Sequence, residues 1–182
     1  MSTEAVPVEA VSTEAGSVES RLARIEARAA VIDLLTEYTI RVDHYDIDGV
    51  AALFTEDCVT DYGPGRGGLV IGRDNVRDRI RRGQAEFRLT HHQHGQTLVT
   101  LGDNATLGDN ATAESLSYLT AWHERWNGSR ERVYLRYLDR LVETVDGWRI
   151  AERKVVASGV EGFEGVEWVW VERRLPPDHA AH

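Results

Sequence analysis

The spacing of apolar residues in this chain changes once, and that change limits the folds open to it. Up to about residue 86 the apolar side chains recur every three or four positions, which is the period of an amphipathic helix. After Leu89 they alternate with polar residues, which is the period of a strand with one buried face. Helices followed by a long run of strands predict an α+β fold, in which a strongly curved antiparallel sheet wraps around the long first helix as a cone-shaped barrel.

Three helices are predicted in the first half of the chain. The first runs from Arg21 to near Asp43, and Asp46 is placed to cap a short second one whose buried side includes Phe54. The apolar stripe of the first helix is predicted to consist of Leu22, Ile25, Ala29, Ile32, Leu35 and Val42. A strand at 59–62, a glycine-rich loop at 63–68 and a third helix at 74–86 follow.

Four alternating segments predict the main strands of the sheet, at 91–101, 113–125, 132–144 and 148–158. The Asp146-Gly147 dipeptide indicates a tight hairpin between the last two. Between the first two, the sequence LGDNAT occurs twice, at 101–106 and 107–112. Its glycine, aspartate and asparagine favour a lengthened hairpin loop, whereas a calcium loop would also need a downstream bidentate carboxylate.

The two ends of the chain differ in composition from its middle. Residues 1–20 contain four glutamates, no lysine or arginine and no aromatic residue, so we expect a disordered acidic leader. A single folded domain is then predicted over 21–160. Residues 161–182 form a tail in which Trp168 and Trp170 lie among valines. This tail is predicted to be a last strand, or an arm that crosses onto a neighbouring subunit, with a disordered end.

Charge and composition exclude several classes of function. The chain has 21 basic and 30 acidic side chains, a formal net charge of −9, and no block of basic residues. Such a surface repels phosphate, so we expect no nucleic acid or membrane partner and a small-molecule substrate instead. The sequence shows no signal peptide and no run of apolar residues long enough to cross a membrane, which favours the cytoplasm. Its single cysteine, Cys58, excludes an internal disulfide.

Two polar features stand out as candidates for chemistry. Asp43 lies where the first helix ends, beside the face that carries Tyr38, so both side chains are placed to reach a cavity between helix and sheet. A carboxylate at the negative end of a helix is unfavourable, so it is either exposed to solvent or has a cationic partner. The second feature is the histidine cluster at 90–94.

Strand alternation places His92 and His94 on one face and His91 on the other. We expect the face of His91 to meet the helix, and His92 and His94 to lie on the exposed face. A carboxylate against one ring nitrogen fixes the tautomer and raises the basicity of the other, so Asp43 and His91 would form an acid–base dyad. The alternative, a metal held by His92, His94 and a carboxylate, lacks a further ligand at a suitable spacing, and no metal or other cofactor is expected.

Aromatic residues and one arginine complete the candidate site. Substrate-binding residues are expected to be Phe54, Tyr62, Tyr118, Trp122 and Tyr137. Aromatic residues of this kind either line an apolar pocket with a few polar groups or fill the core. Parity along the last strand groups Arg153 with Arg149 and Ala151, away from Trp148 and Ile150, which by itself favours solvent exposure.

Several segments together resemble the SnoaL-like proteins of the nuclear transport factor 2-like superfamily. The resemblance rests on segments 29–35 and 46–57 with Tyr38 and Asp43, on 72–74, on 90–92 and on 146–150. It implies an α+β cone whose curved sheet and helices enclose a deep pocket, and assembly as a dimer or trimer. Within the superfamily the pattern is most similar to the branch of scytalone dehydratase, bile acid 7α-dehydratase and hexachlorocyclohexane dehydrochlorinase.

The resemblance also implies roles for individual residues. In that branch an aspartate at the end of the first helix pairs with a histidine on the first long strand, and Asp43 lies 48 residues before His91. Tyr38 resembles the tyrosine of the bile acid enzyme, and Arg153 resembles the arginine of the dehydrochlorinase. The repeat at 101–112 and the tryptophan-rich tail depart from the pattern, so the substrate is not implied.

The expected function is therefore a cofactor-independent lyase or isomerase, foremost a dehydratase acting on a hydrophobic cyclic or polyketide-like molecule. His91 would remove a proton, Asp43 would stabilise the imidazolium, and Tyr38 and Arg153 would polarise the substrate or assist its leaving group. The alternatives are an aldol-type polyketide cyclase and a non-catalytic ligand carrier or dioxygenase small-subunit-like module. A His91 side chain that faces solvent would favour the non-catalytic alternative.

Overall fold

The computed structural model of the protein describes residues 17–102 and 111–171. Within these residues, three helices and six strands form the α+β fold that the change of period predicts. In chain order they are α1 (Val18–Asp43), α2 (Ile47–Ala52), β1 (Phe54–Asp61), β2 (Leu69–Ile71), α3 (Arg73–Gln84), β3 (Phe87–Leu101), β4 (Thr112–Arg125), β5 (Arg130–Thr144) and β6 (Gly147–Glu161). None of these helices is long and apolar enough to cross a membrane.

The six strands form one curved, unclosed sheet in the order β2-β1-β6-β5-β4-β3. The four long strands β3 to β6 pair antiparallel as a meander, as predicted. The prediction of a wholly antiparallel sheet is wrong at one place, because β1 pairs parallel with β6. Since residues 62–146 separate β1 from β6, no hairpin dictates the direction of β1.

Helix α1 packs mainly against β3, and a serine caps its N-terminus. It begins at Val18, three residues earlier than predicted, because Ser17 caps it by accepting a hydrogen bond from the backbone N–H of Ser20. The buried face consists of Ala23, Ala27, Val31, Leu34, Leu35, Tyr38, Thr39 and Val42. The predicted stripe was wrong for four of its six residues, since Leu22, Ile25, Ala29 and Ile32 are exposed. The helix carries two apolar stripes, and the one with small alanines lies against the sheet.

On β4, too, the sequence pattern did not identify which face is buried. Tyr118 and Trp122 share one face, as alternation predicts, but that face is the outer one. The face that meets the core carries smaller residues, among them Ser117, Leu119 and Ala121. Alternation shows which side chains share a face without showing which face the helix covers.

The tail crosses the open end of the molecule. Trp168 is buried against Phe163, with ring centroids 5.3 Å apart, and Trp170 forms a parallel bridge with Ala157. The indole of Trp168 is thus enclosed by its own chain, whereas Trp170 is exposed. The predicted disordered leader, most of the LGDNAT repeat and the end of the tail lie outside the described residues.

Candidate active site

The carboxylate of Asp43 lies at the end of α1, where it is held by the neighbouring strand β3. Its Oδ1 atom accepts hydrogen bonds from the hydroxyl of Thr90, at 2.8 Å, and from Nδ1 of His92, at 2.7 Å. Its Oδ2 atom accepts one from the backbone N–H of His92, at 2.8 Å. These three bonds provide the partner that a carboxylate at a helix C-terminus requires.

The same contacts set the protonation of this pair. Burial opposes ionisation of Asp43, but the hydrogen bonds from His92 and Thr90 outweigh it and lower the pKa of the carboxyl to about 2. Because Asp43 is ionised and only accepts, His92 carries its proton on Nδ1. The Nε2 atom of His92 is then the basic nitrogen, and the ring borders the cavity between helix and sheet.

The predicted pairing of Asp43 with His91 is wrong by one residue. His91 is exposed on the outer face of β3, where it lies opposite Trp122 of β4. Its neighbour His92 points inward, because successive side chains of a strand face opposite sides. An exposed His91 was the expected sign of a non-catalytic module, but His92 supplies the imidazole that this argument requires inside the cavity.

A second buried imidazole, which the sequence analysis missed, lies beside the first. Nε2 of His123, on β4, is 3.4 Å from Nε2 of His92. Nδ1 of His123 is 3.5 Å from Oε1 of Glu131 on β5, and both side chains are almost fully buried. Burial, followed by the charges of His92 and Arg66, lowers the pKa of His123 to about 3. Burial raises the pKa of Glu131, although Arg125 opposes this. The side chains of Asp43, His92, His123 and Glu131 thus lie in one polar row across four elements, α1, β3, β4 and β5.

A sequence signal for His123 existed in principle. On β4 it shares parity with Leu119 and Ala121, so it belongs to the inner face once that face is known. Its partner across the β4–β5 ladder is Glu131. The signal could not be used without knowing which face is covered.

Arg153 lies beneath the cavity instead of in solvent. A β-bulge between Ile150 and Glu152 inserts one residue into β6, which returns Arg153 to the inner face. Its Nε and Nη2 atoms donate to the two carboxylate oxygens of Asp139 at 2.7 and 2.8 Å. Burial opposes the charge of Arg153, but Asp139 raises its pKa above the ordinary value.

Three aromatic rings surround this ion pair. The guanidinium carbon of Arg153 is 4.3 Å from the ring centroid of Tyr38 and 4.1 Å from that of Tyr137. Phe54 is fully buried 6.1 Å from Tyr38, so it packs behind the cavity wall. Arg153 therefore reaches the cavity only through the tyrosines, and the expectation that it touches substrate is not supported by its position.

The remaining predicted substrate-binding residues separate into two groups. Tyr62 and Tyr137 line the cavity together with Tyr38. Tyr118 and Trp122 do not, because they lie on the outer face of the sheet, where Arg136 stacks on Tyr118. Burial raises the pKa of Tyr62 to about 12, so its hydroxyl remains a hydrogen-bond donor.

The cavity has a volume of about 50 Å³ in this structure. It is bordered by α1, α3, the loop after β1, the inner faces of β3 to β6 and the tail. Among the described residues, no group of three or more His, Cys, Asp or Glu side chains is arranged to hold a metal ion. In this arrangement Nε2 of His92 can accept and return a proton next to the aromatic rings of Tyr38 and Tyr137.

Comparison with known proteins agrees with this architecture. A scytalone dehydratase-like protein from Novosphingobium aromaticivorans has a similar structure, with a TM-score of 0.74, 20% identity, and coverage of 87% of this chain and 100% of the other. An aromatic ring hydroxylase-like protein from the same organism gives a TM-score of 0.66 at 28% identity, covering 76% and 94%. A hexachlorocyclohexane dehydrochlorinase, LinA type 2, gives 0.68 at 15% identity, covering 86% and 98%.

No curated protein is a significant match to the chain. The model of the SnoaL-like domain, however, matches residues 23–154, which is most of the chain and contains both members of the Asp43–His92 pair. The chain therefore belongs to the family of SnoaL-like domain proteins.

Proposed function

We propose that this protein is a cofactor-independent lyase or isomerase, and that its reaction is the loss of water from a hydrophobic cyclic substrate. The observation that carries the proposal is the Asp43–His92 pair, whose imidazole borders a cavity lined in part by tyrosines and aliphatic side chains. Similar structures include a scytalone dehydratase-like protein and a dehydrochlorinase, both named for elimination chemistry, which supports this reaction class.

In the proposed reaction, Nε2 of His92 removes a proton from a carbon next to a carbonyl group of the substrate. The electron pair of the broken C–H bond forms the new C=C bond as the C–O bond to the leaving hydroxyl breaks. The imidazolium of His92 then returns its proton to that oxygen, and water leaves. Asp43 stays ionised throughout and stabilises the imidazolium, while Thr90 holds Asp43 in place.

Tyr38 and Tyr137 would supply the floor against which the substrate ring packs, with Arg153 as a positioning residue behind them. Since the Nε and Nη2 atoms of Arg153 already bind Asp139, its role in this proposal differs from direct contact with the leaving group.

The test uses the two adjacent histidines as a matched pair. A panel of cyclic β-hydroxyketones is incubated with the protein, water loss is followed by mass spectrometry, and α-proton exchange is followed in D₂O. His92→Ala is expected to lower the rate by about 10²- to 10⁴-fold, the usual contribution of a positioned acid–base group. Asp43→Asn is expected to lower it as well, because the amide does not stabilise the imidazolium.

His91→Ala is the control, since it removes an exposed imidazole from the same strand and should keep the wild-type rate. Equal losses for His91→Ala and His92→Ala would contradict the proposal. A wild-type protein that binds these ketones but neither exchanges their α-protons nor releases water would instead be a ligand carrier.

A further inference from the structure

The cavity that contains His92 also contains two arginines whose charges no carboxylate neutralises within the described residues. Arg66 comes from the loop after β1 and Arg79 from α3, and both border the cavity. The carboxylates whose charge reaches Arg66 are Glu131 and Glu86, and both bind Arg125. By contrast, Arg153 is neutralised by Asp139.

Aromatic rings, not anions, hold the two guanidinium groups in place. Arg66 lies between Phe163 and Trp168, at 5.3 and 5.0 Å from their centroids. Arg79 lies 3.8 Å from the centroid of Tyr62, and its Nη2 atom donates to the backbone oxygen of Arg66. Cation–π contacts fix the position of a guanidinium while leaving most of its N–H donors available.

Two further donors in the same cavity are unused. The hydroxyl of Tyr62 and the indole Nε1–H of Trp168 are buried without a hydrogen-bond partner in the part of the chain that the structure describes. Both side chains are only 8% exposed. An indole N–H only donates, so its missing partner must be an acceptor. Burying such a donor without one is unfavourable, which indicates that a ligand completes it.

We propose that Arg66, Arg79, Tyr62 and Trp168 form a subsite for an anionic oxygen group, and that the substrate is a cyclic or aromatic carboxylic acid. The carboxylate would bind the two arginines through charge-assisted hydrogen bonds and leave the ring system over Tyr38 and Tyr137, beside His92. The proposal of this substrate class rests on the proposed function only in that both assign the same cavity as the reaction site.

Binding of two matched probes, 2-naphthoate and the neutral 2-naphthamide, tests the subsite by isothermal titration calorimetry. Wild-type protein is expected to bind the carboxylate at least about tenfold more tightly than the amide. Arg66→Gln and Arg79→Gln should each remove most of that preference, because they weaken binding of the charged carboxylate more than binding of the neutral amide. Arg66→Lys, which keeps the charge, should retain part of it.

Arg24→Gln is the control, because this exposed arginine lies 19 residues before Asp43 on α1, about 28 Å along the helix axis. A far-ultraviolet circular dichroism spectrum and an unfolding transition like those of the wild type show that each variant is folded. Equal affinity of the wild type for both probes, or a preference that survives Arg66→Gln combined with Arg79→Gln, would overturn the assignment.

The same titration with His92→Ala separates this inference from the proposed function. We expect that variant to lose turnover while it retains the preference for 2-naphthoate. If the wild type discriminates the probes but performs no proton transfer, the acid-binding subsite stands and the lyase proposal fails. If the wild type performs proton transfer but binds both probes equally, the lyase proposal stands and the acid-binding subsite is wrong.

Discussion

At the scale of single residues, His123 is the side chain whose behaviour depends most on its surroundings. It is 3% exposed, stacked on Phe87 at 4.2 Å between centroids, and close to the charges of His92 and Arg66. A charged imidazole at this position would lose its hydration and face a neighbouring cation. The ring is therefore neutral at physiological pH and adds no charge to the cavity.

This neutrality predicts a pH dependence of stability. The pKa of His123 is about 3 in the folded protein and 6.5 in the unfolded chain, so between these values the unfolded chain binds a proton that the folded protein does not. The free energy of unfolding should therefore fall as the pH is lowered from 6.5 towards 3. In His123→Gln this fall should be smaller by about 1–2 kcal/mol between about pH 7 and about pH 4.5, as measured by urea denaturation.

The exposed His91→Gln serves as the control and should follow the wild-type curve. Parallel curves for the wild type and His123→Gln would show that His123 titrates normally in the folded protein, which would contradict its assignment as a neutral link.

At the scale of secondary-structure elements, one inserted residue in β6 decides what lies beneath the cavity. The bulge between Ile150 and Glu152 allows Ile150 and Arg153 to point to the same side. Asp139 on β5 is the direct ladder partner of Arg153, so pairing of the two strands also pairs the two charges. The bulge thus places a complete ion pair, instead of a lone cation, among the aromatic rings.

Removing one partner of the Asp139–Arg153 ion pair should lower the free energy of unfolding substantially. Asp139→Asn leaves the buried Arg153 without its anion, so we expect a loss of about 3–5 kcal/mol in the free energy of unfolding, measured from urea midpoints. The double variant Asp139→Leu with Arg153→Met removes both charges and should recover at least half of that loss. A single variant as stable as the wild type would show that the guanidinium finds other partners.

At the scale of the whole molecule, the tail closes the cavity by lying directly on the loop after β1. A Cβ atom at Gly65 would overlap the backbone of Glu167, so only glycine permits this approach. The tail is joined to β6 by backbone hydrogen bonds between Ala157 and Val169 and between Val171 and Ala157. Trp168, which it carries, then covers Arg66.

Gly65→Ala should therefore lift the tail while the sheet remains folded. We expect the amide of Val171 to exchange with solvent at least about tenfold faster, because its hydrogen bond to Ala157 opens. Gly68→Ala is the control, since its Cβ would meet nothing within 4 Å, although its φ of +64° costs some stability. Unchanged protection of Val171 in Gly65→Ala would mean that the tail adapts without opening.

The sequence by itself determined the order of the three α-helices, the positions of the four long strands, and the presence of a carboxylate and histidines at the edge of a cavity, but it missed the short strand β2. These features follow from local periodicity and chain order, which a sequence contains directly. It did not determine that His92 faces Asp43 or that the small-residue face of β4 is covered. It also did not show that a bulge turns Arg153 inward, or that loop, helix and tail bring Arg66, Arg79 and Trp168 together. Each of these depends on which of two faces packs against α1 and on contacts between distant segments, so only the tertiary structure could decide them.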